Sequence, residues 1–249
     1  MKRVLFMLAL FTGFSYALEG LEGEVSLGAL SLSPSGYIQY QGDRVDVKGD
    51  MALGRETKPF ARMKLELPVL PNLYLQYIPM SFKGEADRSF TYGGVTFNGR
   101  IKSSVRLNHY DLGLYYNLPF LGIATGGILD PELGVNLRVI GFKGTVTEVN
   151  TGTTEPKSLT TAIPMAYVGV GVDLSYVKLL GELRGITYSG HLYYDVTGEV
   201  RLKPISIPLL GSLFVGLGYR YERLKLDNLG DVNSDIKIKG LFGNVGVAF

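Results

Sequence analysis

The chain has 249 residues, with 25 Lys plus Arg against 23 Asp plus Glu, 33 Gly, 16 Tyr, and neither Cys nor Trp. A formal charge of +2 argues against a nucleic-acid partner. Without cysteine there is no disulfide, no thiolate metal site and no lipid-modified N-terminal cysteine, so rigidity has to come from elsewhere.

In chain order, Lys2 and Arg3 precede an apolar run from Val4 to Phe14, and Ser15 and Ala17 are small. The pattern predicts a secretory signal peptide over 1–17, cleaved after Ala17 and too short to span a bilayer. Removing it takes away Lys2 and Arg3, which leaves 23 cations and 23 acids, so the basic excess belongs to the leader. Residues 18–249 then form one domain. Every later apolar stretch is soon interrupted by Gly, Pro or a charge, and no helix there is predicted to cross a membrane. Export, abundant Gly and Tyr, and no spanning helix favour an all-β, up-and-down antiparallel transmembrane barrel.

The expected strands are 20–32, 58–68, 72–86, 100–118, 128–147, 158–174, 177–189, 191–204, 210–226 and 234–249. These make about ten, and eight if the short 188–192 connection is not an outer turn. Alternation carries the assignment. In FARMKLEL (60–67), Ala61, Met63, Leu65 and Leu67 oppose Arg62, Lys64 and Glu66. In 106–118, Tyr110, Leu112, Leu114, Tyr116 and Leu118 oppose His109, Asp111, Gly113, Tyr115 and Asn117. In 212–222, Leu213, Val215, Leu217, Tyr219 and Tyr221 oppose Phe214, Gly216, Gly218, Arg220 and Glu222. The apolar faces end in tyrosines, as an aromatic belt would.

The connections PVLPN (68–72), 118–127, 174–176 and PISIPLLGS (204–212) read as periplasmic turns. The polar stretches 33–57, 87–99, 148–157 and 227–233 read as outer loops, with a tight turn at Tyr92-Gly93-Gly94. Pro79 and Pro164 predict bulges or strand ends. Ile236 and Ile238 alternate out of phase with Leu241, Val245 and Val247, so either a bulge falls near Gly240 or that end rises clear of the membrane. The carboxylates Asp43, Asp46 and Asp50 leave calcium conceivable. A solvated hairpin tip balanced by Arg44 and Lys48 is the preferred reading there.

The order SPSGYIQYQGD (33–43), LPNLYLQY (70–77), SFTYGGVTFNG (89–99), YDLGLYYN (110–117) and GYRYERLKLDN (218–228) resembles a small family of uncharacterised outer-membrane β-barrel proteins of Gram-negative bacteria. The resemblance covers nearly all of 18–249. It implies a barrel in the outer membrane, among lipid and lipopolysaccharide, and it implies no reaction or ligand. Phe249, with Val247 and Val245 at alternate positions before it, looks like the signal read by barrel-assembly machinery.

The inward faces should bring together Arg62, Lys64, Glu66, His109, Asp111, Glu132, Arg138, Glu182, Arg184, Glu199, Arg201, Arg220 and Glu222. A one-residue slip would turn these into lipid, at about 2–4 kcal/mol for each Arg or Lys near the midplane. Ten strands tilted about 40° close at a radius of roughly 10 Å, too narrow for a general porin. The charges then serve either as ion pairs filling the lumen or as the lining of a narrow path. His109 lies two residues from Asp111 on one face and could touch it, but Ser103 and Ser104 are only nominal nucleophiles. A polar lumen pair is the plainer reading, and His191 near a turn reads as solvated. No transition-metal site or cofactor is expected from two distant histidines. The expected role is a passive, monomeric structural component or narrow solute channel. The alternatives are a lipid-modifying or proteolytic barrel enzyme and a loop-mediated adhesin or receptor.

Overall fold

The structure, a computed structural model, describes residues 22–207 and 211–249. The expected leader at 1–17 and part of the 204–212 turn lie outside the described residues. The elements in chain order are β1 (Glu22–Tyr40), β2 (Arg44–Asp46), β3 (Glu56–Glu66), β4 (Asn72–Tyr92), β5 (Val95–Asn117), a short helix α1 (Pro119–Ala124), β6 (Leu129–Glu148), β7 (Thr154–Leu174), β8 (Val177–Tyr188), β9 (His191–Ile207), β10 (Gly211–Leu229) and β11 (Val232–Ala248). All neighbours pair antiparallel, and β1 pairs with β11 from Glu24↔Ala248 to Tyr40↔Val232, which closes the sheet. At the seam Gly23 and Phe249 exchange both backbone hydrogen bonds, at 2.8 and 2.9 Å. Ten strands, β1 and β3 to β11, form the wall; β2 is a short addition to β1.

Alternation places the side chains as expected. Leu217 is 69% and Leu241 67% exposed on the outside, whereas Arg62 and Arg220 are buried within. The outer apolar faces end upward, away from Gly23 and Phe249, in Tyr77 stacked on Tyr110 at 4.7 Å and Tyr194 beside Tyr221 at 6.0 Å. Beyond them the outer faces turn to Lys83, Arg106, Arg223, Lys237 and Lys239. That boundary marks the height where hydrocarbon gives way to headgroups.

The wall is uneven in height. Strands β4 and β5 pair all the way from Asn72↔Tyr115 to Tyr92↔Val95, where Gly93 and Gly94 turn with φ of +62° and +77°. Positive φ at both positions is what a two-residue hairpin with the native twist requires. By contrast β3 pairs with β4 only from Ala61↔Tyr77 to Leu65↔Leu73. Likewise β7 pairs with β8 only from Ala166↔Gly185 downward, leaving Thr154–Met165 without a β8 neighbour. The prolines mark these steps. Pro34, Pro59, Pro79 and Pro164 each sit two residues beyond the last pair with the shorter neighbour, while staying in register with the other. A residue without an N–H fits where one flank has no partner. Of the expected bulges or strand ends at Pro79 and Pro164, no bulge forms, and it is the neighbouring strand that ends.

One open alternative is resolved and one expectation is corrected. Ile236 and Ile238 keep the regular alternation of β11 and face inward, buried, with Lys237 and Lys239 outside. The strand does rise clear of the belt, and no bulge is needed because the upper lumen is apolar. The stretch 41–55 is solvated only on the side that carries Asp43, Arg44, Asp46 and Lys48, all exposed. It folds into the step left by short β3, where Gly54 donates to the Lys83 carbonyl and Asp43 to that of Thr91. Val45, Val47, Met51 and Leu53 are all buried.

Candidate functional site

The lumen has two storeys. The lower one holds the charges, on the inward positions of strands whose other face is the outer apolar belt. Buried there are the cations Arg62, Lys64, Arg138, Arg184, Arg201 and Arg220 and the acids Asp111, Glu132, Glu182, Asp195, Glu199 and Glu222. Six meet six, so the buried charge balances.

Asp195 is the hub. Its carboxylate pairs with Arg138, with Arg184 at 3.4 Å and with Arg220 at 3.0 Å. Arg138 also grips Asp111 with two parallel bonds of 2.7 and 3.0 Å, the bidentate geometry that suits a planar guanidinium. From Arg184 the chain of contacts runs to Glu182 at 3.0 Å, which reaches Lys64 at 3.1 Å and Arg62 at 4.0 Å. Arg62 bonds Glu199 at 2.7 Å, Glu199 accepts from Arg201 at 2.7 Å, and Arg201 closes on Glu24 at 2.5 Å. Lys64 also donates to Glu132 at 2.8 Å and lies among the rings of Tyr74, Tyr115 and Tyr167, 5.2–5.8 Å from their centres. A buried ion gains from this only if its remaining hydrogen-bonding positions are met. Asn136 donates to Asp111 and Asn244 to Glu199, at 2.7 and 3.0 Å.

Of the residues expected in the lumen, all but Glu66 are buried in this storey; Glu66 is half-buried at the lower mouth beside Glu22 and Lys178. His109 and Asp111 do not pair. His109 Nε2 faces the Tyr193 hydroxyl at 3.3 Å and Glu222 at 3.5 Å, and Tyr193 in turn donates to Glu222 at 2.8 Å. Ser103 lies buried farther up β5, and its hydroxyl has no hydrogen-bond partner among the described residues. His191 is tied down: its Nδ1 accepts the Asp227 N–H at 3.1 Å. Among the described residues no group of three or more His, Cys, Asp or Glu side chains could hold a metal. The hub Asp195 and the closing Glu24 were missed. Asp195 was legible, since Asp195, Thr197, Glu199 and Arg201 share one face of β9.

The upper storey is apolar. Leu30, Ile78, Phe82, Phe97, Ile101 and Ile238 form its core with the inserted Val45, Val47 and Met51. Where the storeys meet, the space bounded by Leu30, Phe60, Arg62, Ile78, Arg220 and Phe242 has a volume of only ≈ 10 Å³. That is room for at most one water.

No family model and no curated protein matches the chain. Solved structures do. The outer membrane protease OmpT from Escherichia coli is 9% identical with a TM-score of 0.50, covering 94% of this chain and 99% of its own. Ail, the attachment invasion locus protein of Yersinia pestis, is 11% identical with a TM-score of 0.41, covering 93% and 100%. Neisserial surface protein A is 14% identical with a TM-score of 0.36 over the same shares. At such identities the likeness speaks to architecture alone. In architecture this chain is a closed up-and-down β-barrel, the fold that OmpT also has.

Proposed function

We propose that the protein is a closed, monomeric structural barrel of the outer membrane, and that its lumen charges are a brace and not a conduction path. The observation that carries this reading is the contiguous chain of ion pairs from Asp111 through Asp195, Glu182 and Glu199 to Glu24, capped by a void of ≈ 10 Å³. A permeating ion would have to replace several buried pairs at once, each costing several kcal/mol when broken, on the order of 3–5. In the same reading 1–17 directs export, Phe249, Val247 and Val245 are read by the barrel-assembly machinery, and lipid and lipopolysaccharide surround the belt.

Planar-bilayer recording tests it. Refolded protein should stay silent over many insertions, and reproducible discrete conductance steps would overturn the reading in favour of a narrow channel. An enzymatic role is the rival class. What favours a brace is the setting of His109, which contacts Tyr193 and Glu222 within the ionic storey. The tall β4–β5 hairpin favours a third role, attachment, because it holds Lys83, Asp87, Arg88, Arg100 and Lys102 above the belt, all exposed.

A further inference from the structure

The wall has two low places, and only one is filled. Residues 41–55 occupy the step over β3. Over the β8–β9 hairpin, which turns at Tyr188↔His191, nothing comparable stands among the described residues. The last β9–β10 pair is Leu192↔Lys225, so β10 continues upward to Leu229 alone on that flank, facing the unpaired Thr154–Met165 of β7 across a notch. The floor of the notch is only three residues above Tyr194 of the upper tyrosine row, at the height of the outer headgroups.

Behind the notch lies an apolar cleft. Leu159 and Ile163 of β7, Leu224 and Leu226 of β10, Phe142 and Ile236 are among its walls. Leu159 and Leu229 are 44% and 43% exposed although both face it. Burying a leucine is worth about 1.5–3 kcal/mol, so two left open on an inner face represent unused affinity. The cavity volume is ≈ 80 Å³. An engineered apolar cavity of about 150 Å³ takes benzene, so the enclosed depth here holds only the end of an apolar ligand, and the rest would lie along the open notch.

One cation lines the cleft. Lys157 lies over the Tyr40 ring at 4.3 Å and makes no ion pair among the described residues. Most other inward-facing cations of the barrel are matched to acids; this one is left with a ring face beside apolar walls.

We propose that the notch and cleft bind a linear alkyl chain carrying an anionic head, with the chain in the cleft and the carboxylate or phosphate against Lys157. The site goes beyond the bracing role and does not depend on it, since none of the paired charges of the lower storey lines the cleft.

The chain contains no tryptophan, so one introduced residue reports without background. Leu159→Trp puts an indole in the cleft, and Thr160→Trp puts one at the same height on the opposite face of β7. Each is titrated in an uncharged detergent with 9,10-dibromostearate, and in a second arm in nanodiscs carrying tail-brominated phosphatidylglycerol. Saturable quenching of Leu159→Trp, at least fivefold stronger than of Thr160→Trp and weakened at least fivefold by Lys157→Gln, is expected. Quenching in either arm supports the site and tells whether a free acid or a bilayer lipid supplies the chain. Equal quenching at the two positions overturns the proposal, as does saturable quenching indifferent to Lys157→Gln. Should Leu159→Trp not fold, Leu229→Trp on the opposite bank of the notch serves in its place.

Discussion

The two storeys of this lumen solve one problem with opposite chemistry. Both must fill a space about as wide as two layers of side chains. Below the upper tyrosine row it is filled by twelve buried charges, and above that row by leucine, isoleucine, phenylalanine and an inserted loop. The lower storey is over-determined: Asp195 alone answers three arginines, and each arginine answers further acids. The upper storey is held by area alone, and part of it comes from a segment, 41–55, that is anchored at its ends and could leave without breaking the β1–β11 seam. The difference teaches that an inside-out wall does not dictate its filling. Register fixes that charges stay off the lipid face, and it leaves open whether the interior above the membrane is wet, ionic or greasy.

The largest expected effect comes from removing the hub. Asp195→Leu leaves Arg138, Arg184 and Arg220 without their shared acceptor; one unpaired buried charge costs on the order of 3–5 kcal/mol, and domains hold about 5–15 in all. The variant should fail to reach the compact form, read as loss of the mobility difference between unheated and boiled samples on detergent gels. Asp195→Asn keeps the volume and an acceptor and should fold with a lower melting temperature. If Asp195→Leu is as stable as the parent, the ionic storey is not what braces the barrel.

A smaller and more local effect is expected above. Val47→Asp puts a carboxylate where a buried valine packs, forfeiting about 1.5–3 kcal/mol of burial and adding an unpaired charge. The 41–55 segment should swing out while the wall stays closed. Trypsin should then cut at Arg44, Lys48 or Arg55, with the gel mobility of the folded barrel retained. Loss of that mobility would show that the segment is part of the wall's stability and not a separable insert.

The smallest effect contrasts the lumen with an ion pair on the outer face. Arg223 donates two hydrogen bonds to Asp235, at 2.9 and 2.8 Å, above the belt. Those bonds hold the Asp235 carboxyl below its ordinary value, more strongly than partial burial raises it. A depressed carboxylate contributes stability that is complete above its unfolded value near 3.9 and lost as the pH falls through the folded one. Asp235→Asn should therefore cost about 0.5 kcal/mol or less at neutral pH and nothing in strong acid, measured as melting temperature against pH.

Much of this was readable residue by residue. The parity of FARMKLEL and SLFVGLGYRYE told which side chains meet lipid, because a strand has only two faces and one of them has to be apolar. The tyrosines told where the belt ends. The prolines carried more than was read from them: each marked where a neighbouring strand stops, information about another segment that no local pattern can express. Val45 and Val47 misled for the same reason. Flanked by Asp and Lys they look like a solvated tip, and only the empty step above short β3 gives them somewhere to go. His109 and Asp111 share a face, yet His109 reaches Tyr193 and Glu222 across the lumen while Asp111 takes Arg138, its register partner on β6, so shared parity does not by itself make a pair.

The sequence by itself determined a closed wall, its orientation toward hydrocarbon and the presence of charges of both signs on its inner face. Those follow from alternation and from the high cost of a charge in lipid, both of which act on single strands. Only the tertiary structure decided that Asp195 is the hub, that 41–55 fills one gap and that the notch over β8–β9 remains open. These depend on how far each strand rises beside its neighbour, and that height is set by pairing between segments far apart in the chain.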